Sequence, residues 1–447
     1  MKTNYRKICI LLATTALVSL PAAGAFAQSA SSEAELAARL AQLEAAVASL
    51  RAELANAKAT APQTVAPPPA PAQDGFKIGN TSVKIGGFIK TVATISDFSR
   101  GEVAANALGR DFHLPAQIPV GPGSNRGSQV FDASAKQTRL WTNLSSEVAG
   151  HTLKGYLEGD FQTTAGAGSE RTTNGYNFAL RRGYMQYDNW TIGQDWTTFQ
   201  YTGALPESTD FVGTTEGTVF ARQPQIRYSH KLSPKATWHF ALENGETASA
   251  TAAGPGLTEN DDDKMPDFTT RFQYTGAKGE LSIAGLFRQL SVNNGVTDDS
   301  NSAWGIGVGG KMPFGEGKRS DVRFMATYGS GIGRYVGLNM VPDAIYSANV
   351  LKNVDNFAAL GAVKFSLSPT MRANLMASYQ DAAYPSGFAA GTFNAYTKKS
   401  QSIAANIFIT PVRGLDLGVE YRHGTRELIS GLDGSLDRLE FAAKYSF

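Results

Sequence analysis

Two arginines are the residues best suited to hold a ligand. Arg222 and Arg227 lie in the run Arg222-Gln223-Pro224-Gln225-Ile226-Arg227-Tyr228. A guanidinium group donates two parallel hydrogen bonds to a carboxylate, so paired arginines at a narrow place would bind carboxylates in a fixed orientation. Ile226 and Tyr228 alternate with Arg227, which is typical of a strand with one apolar and one polar face.

Catalytic chemistry has little support in the sequence. An activated nucleophile needs a base and an orienting group at its side. The five histidines lie in a long loop, a turn and three separated strands: His113, His151, His230, His239 and His423. None is spaced with a serine partner, and the only cysteine is Cys9. We therefore predict that the chain is not an enzyme and has no cofactor.

Two other motifs match a binding site only in part. The glycines of Gly305–Met312 suggest a phosphate-binding loop, but Met312 replaces the required Ser or Thr and no helix follows. We expect a strand there, with its glycines facing inward. The run Asp261-Asp262-Asp263 suits either a divalent cation or a solvated outer loop, and the sequence leaves both open. A net charge of +2 does not suggest a nucleic-acid partner.

The last strand shows what kind of element positions the charged residues. Leu439, Phe441, Tyr445 and Phe447 share one face, and Lys444 lies on the other with Glu440 and Ser446. One apolar and one charged face suit a wall between lipid and water. The same alternation predicts about sixteen strands, an even number expected of a transmembrane barrel. They cover residues 83–95, 133–148, 153–162, 177–187, 190–197, 222–232, 236–244, 266–275, 279–292, 302–312, 321–331, 356–367, 370–380, 400–410, 414–425 and 436–447.

The connections between these strands alternate in length. Short turns such as 188–189 and 368–369 alternate with longer loops, mostly of about 10 to 35 residues, as in outer-membrane barrels. Beyond the N-terminus no segment is apolar for 18 residues, and only helices or closed barrels satisfy the backbone in a bilayer. We therefore predict an all-β fold: a transmembrane antiparallel β-barrel of about 16 strands, preceded by a short N-terminal coiled-coil helix.

Alternation places most charged side chains on the inner face of this barrel. A charge facing lipid would cost about 2–4 kcal/mol near the membrane midplane, so these residues should line a water-filled lumen. The predicted lumen-lining residues are Lys84, Lys90, Arg139, Glu158, Asp160, Arg271, Arg288, Arg323, Arg372 and Arg422. Basic groups outnumber acidic ones on this face, which favours anions in a narrow pore. Pairing among these charges, with a structural role only, remains the alternative for each.

The connection from Thr198 to Ala221 is the third long loop, and it carries Glu207 and Asp210. In sixteen-stranded porins the loop in this position folds inward and narrows the channel. We expect Arg222 and Arg227, with Gln225 on the inner face, to lie opposite this acidic loop at the narrowest point.

The N-terminus is typical of an exported protein. Lys2, Arg6 and Lys7 precede an apolar stretch, and Ala25-Phe26-Ala27 forms a small-residue cleavage site. Residues 1–27 therefore read as a signal peptide. Cys9 lies within it, so the mature chain is expected to form no disulfide.

A heptad pattern follows the predicted signal peptide, within residues 28–58. Leu40, Val47 and Leu54 occupy the a positions, and Leu36, Leu43 and Leu50 the d positions. In a parallel coiled coil Arg39 would face Glu44 of the neighbouring helix. An isolated amphipathic helix is the alternative, and these residues do not decide between dimer and trimer. Residues 59–75 are rich in Ala and Pro, which predicts a semi-rigid linker to the barrel at residues 76–447.

The chain resembles the DcaP-like trimeric porins of Gram-negative outer membranes. The resemblance rests on the heptad helix with its Pro-rich spacer, the first strand at 83–90, Ile192-Gly193-Gln194-Asp195-Trp196 before the third loop, and the run Arg222–Tyr228. It covers nearly the whole mature chain.

This resemblance implies a homotrimer in the outer membrane, in contact with lipid and lipopolysaccharide, with its coiled coil in the periplasm. It also implies passive uptake of small anionic solutes such as dicarboxylates. A constriction role carries over to Arg222 and Arg227, and a loop role to Glu207 and Asp210. The alternative function is a structural tether, in which the helix engages the cell wall and the barrel conducts little.

Replacing Leu43 and Leu50 with Asp should loosen the oligomer without unfolding the barrel, because charges at d positions disrupt the apolar seam. The oligomer band should disappear at a lower temperature in detergent electrophoresis. An unchanged heat resistance of a variant lacking residues 28–58 would show that this helix does not stabilise the assembly.

Overall fold

The computed structural model describes residues 75–447 apart from 125, 163–172, 260–261 and 348. It also describes Ala38, Ala41, Glu44, Ala45, Ala48 and Ser49. The chain separates into two units, Met1–Gln73 and Asp74–Phe447. The described residues of the first unit are helical and exposed. The predicted signal peptide, the apolar a and d residues of the heptad and the Pro-rich linker up to residue 74 lie outside the described residues.

The second unit is built almost entirely from antiparallel strands. They are β1 (Phe76–Ile78), β2 (Thr81–Phe98), β3 (Ser128–Ser134), β4 (Arg139–Val148), β5 (His151–Asp160), β6 (Ala179–Tyr187), β7 (Trp190–Trp196), β8 (Arg222–Ser233), β9 (Ala236–Glu243), β10 (Ala248–Thr251), β11 (Gly254–Glu259), β12 (Asp267–Gly276), β13 (Gly279–Asn293), β14 (Asp298–Phe314), β15 (Ser320–Ser330), β16 (Ala344–Ser347), β17 (Val350–Asn353), β18 (Asp355–Ser366), β19 (Met371–Ala383), β20 (Thr397–Val412), β21 (Leu415–Leu428) and β22 (Asp433–Ser446).

Eighteen of these strands form one closed sheet. β1 is a short arm folded back on the start of β2, and β3 and β4 are two halves of one strand, because they pair with the second and first halves of β2. The closed wall therefore has 16 strands, as predicted from alternation. Pairing of β2 with β22 closes the barrel.

Side chains follow the predicted alternation around the wall. On β22, Leu439, Phe441 and Tyr445 point outward and are partly exposed, whereas Arg438 and Glu440 point inward and are buried. An outer band of aromatic rings follows the register from β12 to β18, with Phe268 opposite Phe287, Phe287 opposite Trp304, and Tyr328 opposite Phe357. Such a band is typical of a membrane–water interface.

The short turns lie at one end of the barrel and the long loops at the other. In transmembrane barrels of this kind the short turns face the periplasm. Two long loops build a small second sheet, in which β10 pairs in parallel with β16, and β11 and β17 flank them. Among the described residues of the second unit, helical structure is limited to single turns: Leu108–Asp111, Pro115–Gln117, Thr202–Ala204, Glu316–Lys318 and Gly333–Tyr335. No helix among the described residues is long and apolar enough to cross a membrane.

The end of β22 seals the barrel through its backbone. The N–H of Phe447 donates to the carbonyl of Gly87, and the N–H of Gly87 donates to the carbonyl of Phe447, each at 3.1 Å. The Phe447 ring lies beside that of Tyr445, with centroids 6.3 Å apart, and is 54% exposed on the outer surface.

Deleting Phe447 should reduce the amount of folded barrel in the outer membrane, because it removes both backbone bonds, worth about 1–3 kcal/mol together, and a ring at the interface. The measurement is the heat-modifiable fraction in outer-membrane preparations. Phe447→Leu keeps the backbone bonds and should lose less. Wild-type levels of the deletion variant would contradict this role.

Candidate functional site

The third long loop, residues 197–221 and called L3 below, runs through the lumen. At its start the N–H of Thr198 donates to Glu243 at 2.7 Å. Further along, the hydroxyl of Tyr201 donates to Glu280 of β13 at 2.7 Å, and Lys90 of β2 donates to the carbonyl of Thr209 at 2.6 Å. L3 therefore follows the inner wall from β12 round to β2.

L3 and this wall share an apolar core. Buried side chains of L3 pack with inward residues of β13, β15 and β18. The cluster contains Phe199, Tyr201, Ala204, Val219 and Ala221 from L3, with Ala284, Leu286, Met325, Ala358 and Leu360 from the wall and Ile332, Tyr335 and Val336 from the loop after β15. These side chains are buried, so the lumen at this level is packed like a protein interior.

The glycines of β14 make room for L3. Gly305, Gly307 and Gly309 face inward, as predicted for a strand. A Cβ on Gly305 would lie 3.1 Å from the ring of Phe199, and one on Gly309 would lie 2.9 Å from the ring of Tyr201. Larger residues would push the loop off the wall.

The tip of L3 is held by ion pairs with the far wall. Glu207 pairs with Arg372 of β19 at 2.5 Å, and Arg372 also pairs with Asp416 at 3.0 Å. Asp210 accepts hydrogen bonds from the N–H groups of His113 at 2.7 Å and Gly213 at 2.9 Å. The expectation that these acids face Arg222 and Arg227 is therefore wrong. L3 extends across the lumen, where Glu207 pairs on β19, and Asp210 binds backbone N–H groups of the first long loop and of L3 itself.

Glu216 joins L3 to the first long loop. Its carboxylate lies 2.7 Å from Nε2 of His113 and 2.8 Å from the hydroxyl of Ser402, and it also accepts from Ser378. Burial opposes ionisation of Glu216, but the charge of His113 and the hydrogen bonds outweigh it and lower the pKa of the carboxyl to about 2. Burial likewise opposes ionisation of Asp210, yet Arg422 and the Gly213 N–H lower its pKa. Both acids remain charged at neutral pH.

The wall from β4 to β8 is the side that L3 leaves open. Its inward side chains Trp141, Tyr156 and Tyr184 are partly exposed, unlike the inward residues Ala284, Met325 and Ala358 that L3 covers. Arg139, Arg182 and Arg227 on this wall retain 20%, 22% and 13% side-chain exposure. The space that L3 leaves inside the barrel therefore lies along this wall.

Arginines and carboxylates alternate along the open wall. Arg181 pairs with Glu158 at 3.0 Å and with Asp160 at 2.7 Å, and Arg139 pairs with Asp160 at 3.0 Å. The ring of Phe211, from L3, lies 5.1 Å from the Arg181 guanidinium and marks where the loop approaches this wall.

A second pair of arginines shares one carboxylate. Arg182 and Arg227 donate to opposite oxygens of Asp195 at 2.6 and 2.8 Å. The Arg182 guanidinium also lies 4.8 Å from the ring centre of Tyr156 and 5.4 Å from that of Tyr184, and these two rings stack at 5.3 Å.

Arg181 and Arg182 were missed by the sequence prediction. In a strand with strict alternation, one of two consecutive residues faces lipid. The register of β6 shifts between Glu158 and Gly159 of β5, and this bulge turns both arginines inward. Two adjacent charges inside a predicted transmembrane strand were the signal that could have indicated a bulge, since a lipid-facing arginine is costly.

Within the part of the chain that the structure describes, Arg222 is the arginine of this region without an ion pair. Its guanidinium stacks 5.0 Å from the ring of Trp196 and 5.8 Å from that of Phe220. Among the described residues Nη1 has no hydrogen-bond acceptor although it is buried. Arg222 pairs with Trp196 in the β7–β8 register, so it shares the strand face of Ile226 rather than that of Arg227. Aromatic stacking at the start of β8, rather than alternation, decides where its side chain lies.

The other predicted residues lie on the inner face, but loops cover several of them. Arg288 pairs with Asp267 at 3.2 Å and Asp343 at 3.0 Å and is fully buried. Arg422 pairs with Glu420 at 2.6 Å. Arg271 and Arg323 donate to carbonyls of L3. The prediction that they line water is therefore wrong for Lys90, Arg288 and Arg422, because L1 (residues 99–127), L3 and the loop after β15 fold over them. It is also wrong for Glu158 and Asp160, which are buried in ion pairs with Arg181. Lys84 lies exposed at the short-turn end, and Gln225 binds the base of L3 through Thr198.

No group of His, Cys, Asp or Glu among the described residues is arranged to hold a metal ion. In the acidic run, Asp263 accepts from the N–H and hydroxyl of Thr247, each at 2.7 Å, and Asp262 from the N–H of Asn293 at 2.6 Å. The described part of this run therefore ties the fourth long loop together.

The model of the DcaP outer membrane protein family matches residues 76–447. Among solved structures, the outer membrane channel DcaP of Acinetobacter baumannii is 25% identical, with 83% of this chain and 99% of that one covered and a TM-score of 0.70. An anion-selective porin from Comamonas acidovorans is 10% identical over 82% of this chain and 100% of its own, with a TM-score of 0.52. OmpT of Vibrio cholerae is 11% identical over 84% and 100%, with a TM-score of 0.50. The last two show the fold alone. No curated protein sequence matches significantly.

Glu216→Ala should free L3 from the wall, because it leaves His113 and two serines without their acceptor, and breaking a buried pair costs about 3–5 kcal/mol. Open-channel current noise and protease cleavage within L3 should both increase. Glu427→Ala, which removes an exposed pair with Lys398 and Lys399 worth about 0–1 kcal/mol, is the control. Equal noise and cleavage in the two variants would contradict a locking role for Glu216.

Proposed function

The chain belongs to the DcaP outer membrane protein family, and on that premise we propose that its channel favours small anionic solutes, dicarboxylates among them, which cross by passive diffusion. Its 25% identical relative is an outer membrane channel, which supports the channel function.

The observation that carries the anion preference is the charge balance of the open wall. At the level of L3 this wall bears Arg139, Arg181, Arg182, Arg222 and Arg227 against Glu158, Asp160 and Asp195. Two guanidiniums are therefore in excess among the described residues at this level. A surplus of fixed positive charge in a narrow, low-dielectric passage concentrates anions and repels cations.

Arg222 is the strongest candidate for direct contact with solute. The Arg222 side chain is partly exposed and takes part in no ion pair among the described residues, so its guanidinium can bind a carboxylate without first breaking one. Arg227 shares Asp195 with Arg182, so an incoming carboxylate can bridge two guanidiniums. A solute with two carboxylates could bind both positions in turn as it moves along the wall.

We also propose the domain arrangement implied by the sequence: a signal peptide at 1–27, a coiled coil at 28–58, a linker at 59–75 and the barrel from residue 76. The heptad seam and its complementary charges support a parallel oligomer, and the resemblance to the trimeric porins supports a homotrimer. β1 and the start of β2 lie at the short-turn end, which supports entry of the chain from the periplasmic side.

Changing Arg222 and Arg227 together to Ala should lower the anion-to-cation permeability ratio by roughly fivefold, equivalent to about 1 kcal/mol of lost attraction. The flux of succinate through the channel should also fall. The measurement is the reversal potential in planar bilayers under a salt gradient.

Lys231 and Lys235, at the exposed turn between β8 and β9, provide the matched control, because changing both to Ala also removes two charges. Bulk water and salt screen them over about 8 Å, so the reversal potential should barely move. Equal shifts in the two double variants would show that selectivity comes from the overall field, and the assignment to Arg222 and Arg227 would fail.

A further inference from the structure

A separate cavity lies beneath L3 at the short-turn end of the lumen. Its volume is about 510 Å³, and the turns after β12, β14 and β18 form its rim. We call it the vestibule. Glu280 and Arg372 line it and also bind Tyr201 and Glu207, so L3 forms its roof. It therefore lies on the L3 side of the barrel, away from the open wall.

The vestibule is lined mainly by basic groups. Lys311 and Lys364 point into it from β14 and β18, and Lys318 and Arg319 reach it from the turn between β14 and β15. Lys318 donates to the carbonyl of Ala277 at 2.7 Å. Among the described residues, the side chains of Lys311 and Arg319 take part in no hydrogen bond or ion pair.

The acids of the vestibule already have other partners. Glu280 accepts the Tyr201 hydroxyl at 2.7 Å. Asp321 accepts from Arg323 at 2.5 Å and lies 3.9 Å from Lys364. The cavity therefore carries a surplus of unneutralised cations in a partly enclosed space, where an anion gains more than in bulk water.

We propose that the vestibule is an oxyanion-binding site for compact solutes with two or more negative charges. Lys311, Lys364 and Arg319 supply the charge, and the hydroxyls of Ser368 and Thr370 lie on the same rim and supply further donors. Phosphate and short dicarboxylates share this chemistry.

This site would add a function to the proposed selective permeation, namely retention of the solute. It holds a dianion at the periplasmic exit, beside the path rather than in it, so solute that has passed the arginines is retained near the mouth. A dianion supplied from the short-turn side should therefore reduce the anion current, because its bound charge repels other anions at the mouth of the path.

The test uses the purified full-length oligomer in planar bilayers, with inorganic phosphate added to the short-turn side at constant ionic strength. Phosphate should reduce the current with a measurable half-blocking concentration. Lys311→Gln with Lys364→Gln should raise that concentration about tenfold, since two partly exposed ion pairs are lost. Lys311→Arg with Lys364→Arg should keep it within about twofold of the wild type, because the charges remain.

Matched controls separate this site from the arginine wall. Lys231→Gln with Lys235→Gln removes two charges from the same end and should leave the block unchanged. Arg222→Ala with Arg227→Ala should change the reversal potential but not the phosphate block at the short-turn side.

The vestibule assignment fails if the Lys311 and Lys364 variant is blocked as readily as the wild type, or if only the arginine variant resists block. An arginine variant with unchanged reversal potential would instead overturn the proposed anion preference and leave the vestibule standing. Succinate in place of phosphate should show the same dependence on Lys311 and Lys364.

Discussion

The packing of L3 against the wall from β12 round to β2 determines where a solute can pass. A barrel of this strand number encloses more space than its inward side chains fill, so a loop must occupy part of the lumen to narrow it. Phe199 and Tyr201 lie against the glycines of β14, and Val219 packs into the same core. With that side filled, the remaining passage runs along β4 to β8.

Charged contacts hold L3 at the ends of this apolar core. Glu207 with Arg372, and Glu216 with His113, join the loop to elements far away in sequence. The Glu207–Arg372 pair is partly exposed, whereas the Glu216–His113 pair is fully buried. A buried pair adds little net stability relative to apolar packing, but losing one partner leaves a costly buried polar group. The two pairs therefore fix the position of the loop more than they strengthen the fold. Because these acids are already paired, the arginines of the open wall keep their positive surplus.

The sequence predicts the barrel because residues facing lipid must be apolar and residues facing water can be polar, which gives an alternating pattern along each strand. Each of the sixteen predicted strands corresponds to a strand of the wall, and the inward or outward direction was correct on β14 and β22. The inner face was less predictable. Alternation gives the face of a residue but not which loop covers it, so Arg288 and Arg422 were expected in water and are buried.

Two details of the arginine wall depend on tertiary contacts that alternation does not contain. The bulge that turns Arg181 and Arg182 inward breaks the period of two, and the stacking of Arg222 on Trp196 overrides its strand face. The partners of Glu207 depend on how far L3 extends, which spacing along the chain does not encode. The apolar a and d residues of the heptad lie outside the described residues, so their role in assembly remains a proposal.

Substituted-cysteine modification tests the location of the passage most directly. The only cysteine, Cys9, lies in the predicted signal peptide, so a single introduced thiol can be followed without background. Tyr184→Cys places a thiol on the open wall, and Ala358→Cys places one beneath L3. A negatively charged methanethiosulfonate should reduce the current through the first variant rapidly and leave the second unchanged. Rapid block at position 358 with none at position 184 would place the passage on the opposite side of L3 and contradict this account.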